Sequence, residues 1–149
     1  MKNVSKILGT LTLFGTFAAL PLTAQMEKRI DFTTSFPFYV DGVEVPAGSY
    51  QIRPDINAGL LRLQSADDKQ SMFVPYIPTE TLNPAAETQV IFHEYAGIDY
   101  LNGITITGDT SGIEVPPGKN EKAAAQAAKA HGEQASLKKV KLGSSRAGN

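Results

Sequence analysis

The run Phe36-Pro-Phe-Tyr-Val-Asp-Gly-Val-Glu-Val-Pro-Ala-Gly-Ser-Tyr-Gln-Ile-Arg53 constrains this chain more than any other stretch. Phe36, Phe38 and Val40 alternate with Pro37, Tyr39 and Asp41, so every second side chain can enter a core. The same phase starts earlier, with Ile30 and Phe32 set against Arg29, Asp31 and Thr33. Slipping the register by one residue would expose all of these apolar groups, which fixes the pairing. Asp41-Gly42 predicts a tight hairpin, because both central residues of the favoured two-residue turn need positive φ. Pro46 presets φ for a second turn and Gly48 offers a position free of Cβ strain. Tyr50 and Ile52 then resume the inward phase, with Gln51 and Arg53 outward.

Further strands are predicted at Leu61–Leu63, Met72–Tyr76, Thr88–Tyr95, Ile98–Leu101, Ile104–Thr107 and Ile113–Val115. Met72, Phe73 and Val74 are apolar on both faces, which predicts a central strand, while Pro75 and Pro78 mark its end or an edge. Val90 and Phe92 share one face of the next strand, and Ile91, His93 and Tyr95 share the other. Ala96-Gly97 is a turn, and Asn102-Gly103 predicts a second tight hairpin. About nine short strands with turn residues between them predict an all-β fold, an antiparallel β-sandwich or barrel.

Residues 1–24 read as a secretory signal peptide: Lys2 and Lys6, an apolar run Ile7–Leu20, then Leu22-Thr23-Ala24 before Gln25. That run of 14 residues is short of the ~20 that span a bilayer. No other stretch is apolar enough to cross a membrane. The expected location is therefore outside the cytoplasm, periplasmic or secreted. The mature chain of about 125 residues is the size of one domain. It divides into a β-domain, 25–116, and a basic tail, 117–149, rich in Ala and Lys. In the tail Asn120 is placed to cap a helix over Ala123–Ala130, with Gly132 as its stop. Lys139, Val140, Lys141 and Leu142 alternate and can add a lysine-protected edge strand; 143–149 are expected to be disordered.

There is no cysteine, which removes disulfides, thiol catalysis and thiolate metal sites. Residues 25–114 hold 5 Lys/Arg against 13 Asp/Glu, and 115–149 hold 7 against 2. A basic tail can fold back on an acidic body or meet an anionic partner. Nucleic acid is not an expected partner; an envelope polymer or another envelope protein is.

His93-Glu94-Tyr95-Ala96-Gly97 begins like the H-E-x-x-H zinc-protease motif, but Gly97 stands where the second His must be, and the segment is a strand. Asp109-Thr110-Ser111-Gly112 is close to the D-T-G loop of aspartic proteases, but its Gly is displaced by one position. No nucleophile elbow, P-loop, dinucleotide fingerprint or EF-hand spacing occurs, so no cofactor and no metal are expected. His93 and Tyr95, on one strand face, and the outward Tyr39 remain as candidate ligand contacts. Against that stands the reading that they are packing groups. Expected functions are thus a non-catalytic binding or structural role in the cell envelope, a carbohydrate- or lipid-binding module, or a hydrolase with a site dispersed over Asp, Glu, His93 and Tyr side chains.

The pattern Phe36-x-Phe38-x-Val40-x-Gly42-x-x-Val45-Pro46-Ala47-Gly48-x-Tyr50-x-Ile52, followed by Val90-Ile91-Phe92-His93-x-Tyr95, resembles a group of small exported bacterial proteins. Those share a signal peptide, an F-x-F-x-V-x-G-x-x-L-P-A-G-x-Y-x-V block, a V-F-H-x-Y strand and a charged C-terminal helix. The resemblance implies one β-domain with a helical tail and assigns no site residue. Before the helix this chain reads Val115-Pro-Pro-Gly-Lys-Asn, where the group has charged residues.

Overall fold

The computed structural model describes residues 29–142; the leader 1–24 and the segment 143–149 lie outside them. Alternation becomes strand from Ile30 onward. β1 (Ile30–Thr34) buries Ile30, Phe32 and Thr34 and turns Asp31 and Thr33 outward. β2 (Phe38–Val40) buries Phe38 and Val40 in the same phase. The two are separate strands in different sheets, because the chain bends at Ser35-Phe36-Pro37 and Pro37 has no N–H to give a ladder. Phase survives the break, since both sheets face one core.

β2 and β3 (Val43–Val45) form the predicted hairpin, with Asp41 at φ 47° and Gly42 at φ 82°. β4 (Gly48–Asp55) buries Tyr50 and Ile52, and β5 (Leu60–Ser65) buries Leu61 and Leu63. The Tyr50 hydroxyl donates to the Pro46 carbonyl and ties the Pro-Ala-Gly turn to its strand. β1, β4, β5 and β6 (Ser71–Pro75) make a four-stranded antiparallel sheet in the order β1-β4-β5-β6. β6 is therefore an edge and not a central strand. Val74 is buried, but Phe73 faces outward and is 64% exposed.

The larger sheet has seven strands, built on β8 (Gln89–Tyr95) and β9 (Ile98–Thr105). β11 (Ser136–Lys141) pairs with β8 at one edge. β10 (Ser111–Glu114) and then β7 (Ile77–Glu80) extend the other side, and β2 with β3 lies along the same side of β9. The β2/β9 pair is parallel; all other strand pairs are antiparallel. The barrel alternative gives way to two open sheets packed as a sandwich. The eleven strands against about nine expected arise from the break at Pro37 and from β7 and β11, with β9 offsetting by joining two predicted segments.

That join corrects the predicted second hairpin. Chain reversal occurs at Ala96-Gly97, with φ 50° and 80°, and β9 runs straight through Asn102-Gly103. Ile91 faces Gly103 while Phe92 faces Leu101, so Asn102 is the extra residue of a bulge. Its carbonyl accepts the Val115 N–H at 2.6 Å. Gly103 is required by close approach: a Cβ there would stand 2.5 Å from the Ile113 carbonyl oxygen of β10.

Between the sheets lies an aromatic core. Phe38 and Phe92 have ring centroids 5.2 Å apart and are fully buried, with Tyr50 and Phe32 at 5.6 and 6.3 Å from Phe38. Each such Phe stabilises the fold by about 1.5–3 kcal/mol through burial.

α1 (Lys119–Ala130) is capped at its start by Gly118, without a side-chain hydrogen bond, so Asn120 lies within the helix and is not its cap. Gly132, at φ 74°, ends it as expected: its N–H bonds to Lys129 O and that of Glu133 to Ala128 O.

Gly103→Ala is expected to lower stability by about 1–3 kcal/mol, because the obstructing atom is backbone and cannot rotate away. Urea unfolding measures it; an unchanged midpoint would mean β9 and β10 are not in such close contact.

Candidate functional site

Burying Phe92 and Leu101 on the inner face of β8 and β9 puts their neighbours outside. His93 and Tyr95 share that outer face, as expected from the strand period. Counting across the Ala96-Gly97 turn pairs Tyr95 with Ile98 and His93 with Tyr100. Tyr39 of β2 lies beside Tyr100. Ring centroids are 6.0 Å apart for His93–Tyr95, 6.0 Å for Tyr95–Tyr100 and 5.7 Å for Tyr39–Tyr100. The three sequence candidates thus stand in one row, connected through Tyr100. Tyr100 carried a signal in the sequence, the pairing count across the turn, but a reversal at Asn102-Gly103 would obscure it.

The His93, Tyr95 and Tyr100 part of the row lies beside α1. Gly118 and Asn120 lie against the Asp41-Gly42 turn, and Glu121, Ala124, Ala125 and Ala128 form the inward helix face. Three of those four are Ala, which lets the helix approach the sheet closely. The fourth is a carboxylate only 6% exposed. Glu121 Oε1 is 3.2 Å from His93 Nδ1. At the far end the Tyr39 hydroxyl donates to Glu44 Oε2 at 3.0 Å. Glu121 has no sequence signature: a Glu in a first helical turn reads as a partner of the helix dipole, and only docking brings it to a histidine 28 residues earlier.

Burial pushes the Glu121 carboxyl above its ordinary value, with the His93 contact partly opposing. Burial, and then the Glu121 charge, raises the Tyr95 and Tyr100 hydroxyls. The bond to Glu44 raises that of Tyr39. These phenols are held further from ionisation than a free tyrosine, so none is prepared as a base. Among the described residues no group of three or more His, Cys, Asp or Glu is arranged to hold a metal, and no helix is long and apolar enough to cross a membrane.

Two open clefts lie elsewhere. One of about 310 Å³ sits between the β3 and β6 edges, lined by Val43, Val45, Leu63 and Met72 among others. Another of about 440 Å³ lies where β1 and β4 meet Lys141 and Leu142. Neither is lined by His93, Tyr95 or Tyr39. The Asp109-Thr110-Ser111-Gly112 loop is an anchoring turn: Asp109 Oδ1 accepts the Ser111 N–H, and the Asp109 and Thr110 carbonyls accept those of Ala85 and Thr81.

No protein-family model matches the chain, and neither a curated protein nor a solved structure does.

A carboxyl raised by folding stabilises below its unfolded value of 4.5, and that contribution is lost as pH rises through the folded value. Stability of the wild type relative to Glu121→Gln is therefore expected to be greatest at acid pH and to fall above pH 4.5. Urea unfolding of both proteins across that range checks it; a difference independent of pH would show that Glu121 is not buried as described.

Proposed function

We propose that this chain is an exported, non-catalytic β-sandwich domain with a binding or structural role in the cell envelope, periplasmic or secreted, its partner an envelope polymer or another envelope protein. The leader pattern of residues 1–24 and the Phe36–Ile52 block support export. One observation carries the non-catalytic part: the groups the sequence offers for chemistry are engaged with neighbouring side chains of the fold. His93 is held by Glu121, Tyr39 by Glu44, and Tyr95 packs between His93 and Tyr100. A general base must reach a substrate proton, and the Nδ1 of His93 is taken up by Glu121 of α1.

The basic tail supports the same reading. Lys138 pairs with Asp99 and Glu94, and Lys141 with Glu87. These lysines meet carboxylates of the acidic body.

A carbohydrate-binding role is the second reading, favoured by the unbroken row of rings. The rings are inclined, by 36° for Tyr39–Tyr100 and 60° for Tyr95–Tyr100, and Tyr100 is 6% exposed. A sugar would therefore meet only the edges of Tyr39 and Tyr95, not a flat platform.

The mature chain is expected to show no turnover on a broad hydrolase panel and no retention on a polysaccharide array. His93→Ala should cost about 1–3 kcal/mol, by stranding a buried carboxylate, and speed amide exchange across Lys119–Ala130. Turnover lost on replacing His93 or Tyr95 would install the hydrolase reading, and array binding lost in Tyr39→Ala the carbohydrate one.

A further inference from the structure

On the inner face of the larger sheet, Lys138 of β11 reaches past β8 to Asp99 of β9. Its Nζ lies 2.7 Å from Asp99 Oδ2 and 3.4 Å from Glu94 Oε2. The Phe36 ring covers it, with the centroid 4.3 Å from Nζ. Asp99 is 4% exposed, and its Oδ1 has no hydrogen-bond partner. A buried carboxylate is ordinarily satisfied at both oxygens, since an orphaned one carries a desolvation cost. Here one oxygen is bare, the other touches an amine, and a second carboxylate stands next to that amine.

We propose that Lys138 and Asp99 become joined by an intramolecular amide bond between Nζ and Cγ, with Glu94 carrying the proton. The resting pair is ionic: the hydrogen bond to Asp99 leads the causes that hold the Lys138 ammonium above its ordinary value, with Glu94 adding to it. Reaction starts when Nζ passes one proton to the Asp99 carboxylate, leaving a neutral amine against a neutral acid. The nitrogen lone pair attacks Cγ and the C–N bond forms. Glu94 takes the second proton from nitrogen and returns it to the departing hydroxyl. The Cγ–O bond breaks and water leaves. One ammonium and one carboxylate become one amide and one water, with no oxidant, reductant or cofactor required. Holding Nζ against the Asp99 carboxyl group supplies the positioning that makes an otherwise slow condensation accessible; Phe36 packs over Nζ, while the Lys138 and Glu94 side chains stay 37% and 31% exposed.

Such a bond would tie the edge strand β11 to the central strand β9 across β8, closing the chain from residue 99 to residue 138. This chain has no cysteine and so no disulfide; an amide cross-link would constrain its unfolded state by the same chain-entropy effect. The inference is independent of the proposed envelope role.

The test is the intact mass of the protein purified in its folded form. The wild type is expected to be lighter than its processed sequence by the mass of one water. Trypsin should then release residues 70–119 joined to residues 130–139, because Lys138 in an amide is not cleaved and no other Lys or Arg falls inside 70–118. That branched peptide separates the cross-link from a succinimide at Asp41-Gly42, which also loses water. Lys138→Arg keeps the charge and should fold with full mass; Asp99→Ala should also show full mass, and Glu94→Gln should form the bond more slowly. Full mass and separate peptides in the folded wild type after prolonged incubation would overturn the proposal and leave an ion pair alone. A Lys138→Arg protein lighter by one water with the branched peptide would overturn it equally.

Discussion

The contact of Phe38 with Phe92, one from each side of β9's strand neighbourhood, underlies the rest of the structure. Both rings are fully buried, 5.2 Å apart, with Tyr50 and Phe32 closing round them from the four-stranded sheet. Once these side chains point inward, a pleated backbone leaves no choice for their neighbours. Tyr39 must face out beside Phe38, and His93 beside Phe92. Pairing then adds Tyr100 between them. The outer aromatic row is thus a geometric consequence of the inner core.

A row of half-buried rings on a sheet is an apolar surface in need of cover, and α1 covers part of it. The helix brings little area of its own, because its inward face is Ala124, Ala125 and Ala128. Position comes instead from the Glu121–His93 contact. A buried carboxylate is a poor source of net stability, since desolvation offsets most of the attraction. It is a strong source of specificity, because a helix displaced by one turn would bury that carboxylate with no partner. Asp99 and Lys138 do the equivalent for β11 on the inner face: an edge strand with alternating lysines could slide along β8, and the pair sets its place. Both polar contacts join the C-terminal segment to the body.

Much of the fold was legible. Alternation from Ile30 to Val40 identified the core face, Asp41-Gly42 its turn, and Gly132 the end of the helix, because each depends on local backbone rules. Asn102-Gly103 misled for an instructive reason. Asn-Gly marks a place where a side chain is unwelcome, and the same pair serves a turn through positive φ or a bulge through close approach; only the carbonyl of Ile113 distinguishes them. Phe73 misled likewise: a two-faced apolar strand reads as central, and its edge position depends on sheet order. Of the site, His93, Tyr95 and Tyr39 could be chosen as outward polar rings, while Tyr100 and Glu121 emerged only with pairing and docking.

What the sequence determined by itself is the short-range part: which side chains alternate, where the chain must turn, and that no cysteine, nucleophile elbow or phosphate loop is present. Tertiary structure alone decided the order of the strands, the split of one alternating run between two sheets at Pro37, and the meeting of Glu121 with His93 and of Lys138 with Asp99. The physical reason is one of range. Backbone sterics and the two-residue period act between neighbours in the chain, whereas a buried charge finds its partner across 28 or 39 residues, where nothing in the local pattern records the distance that folding will remove.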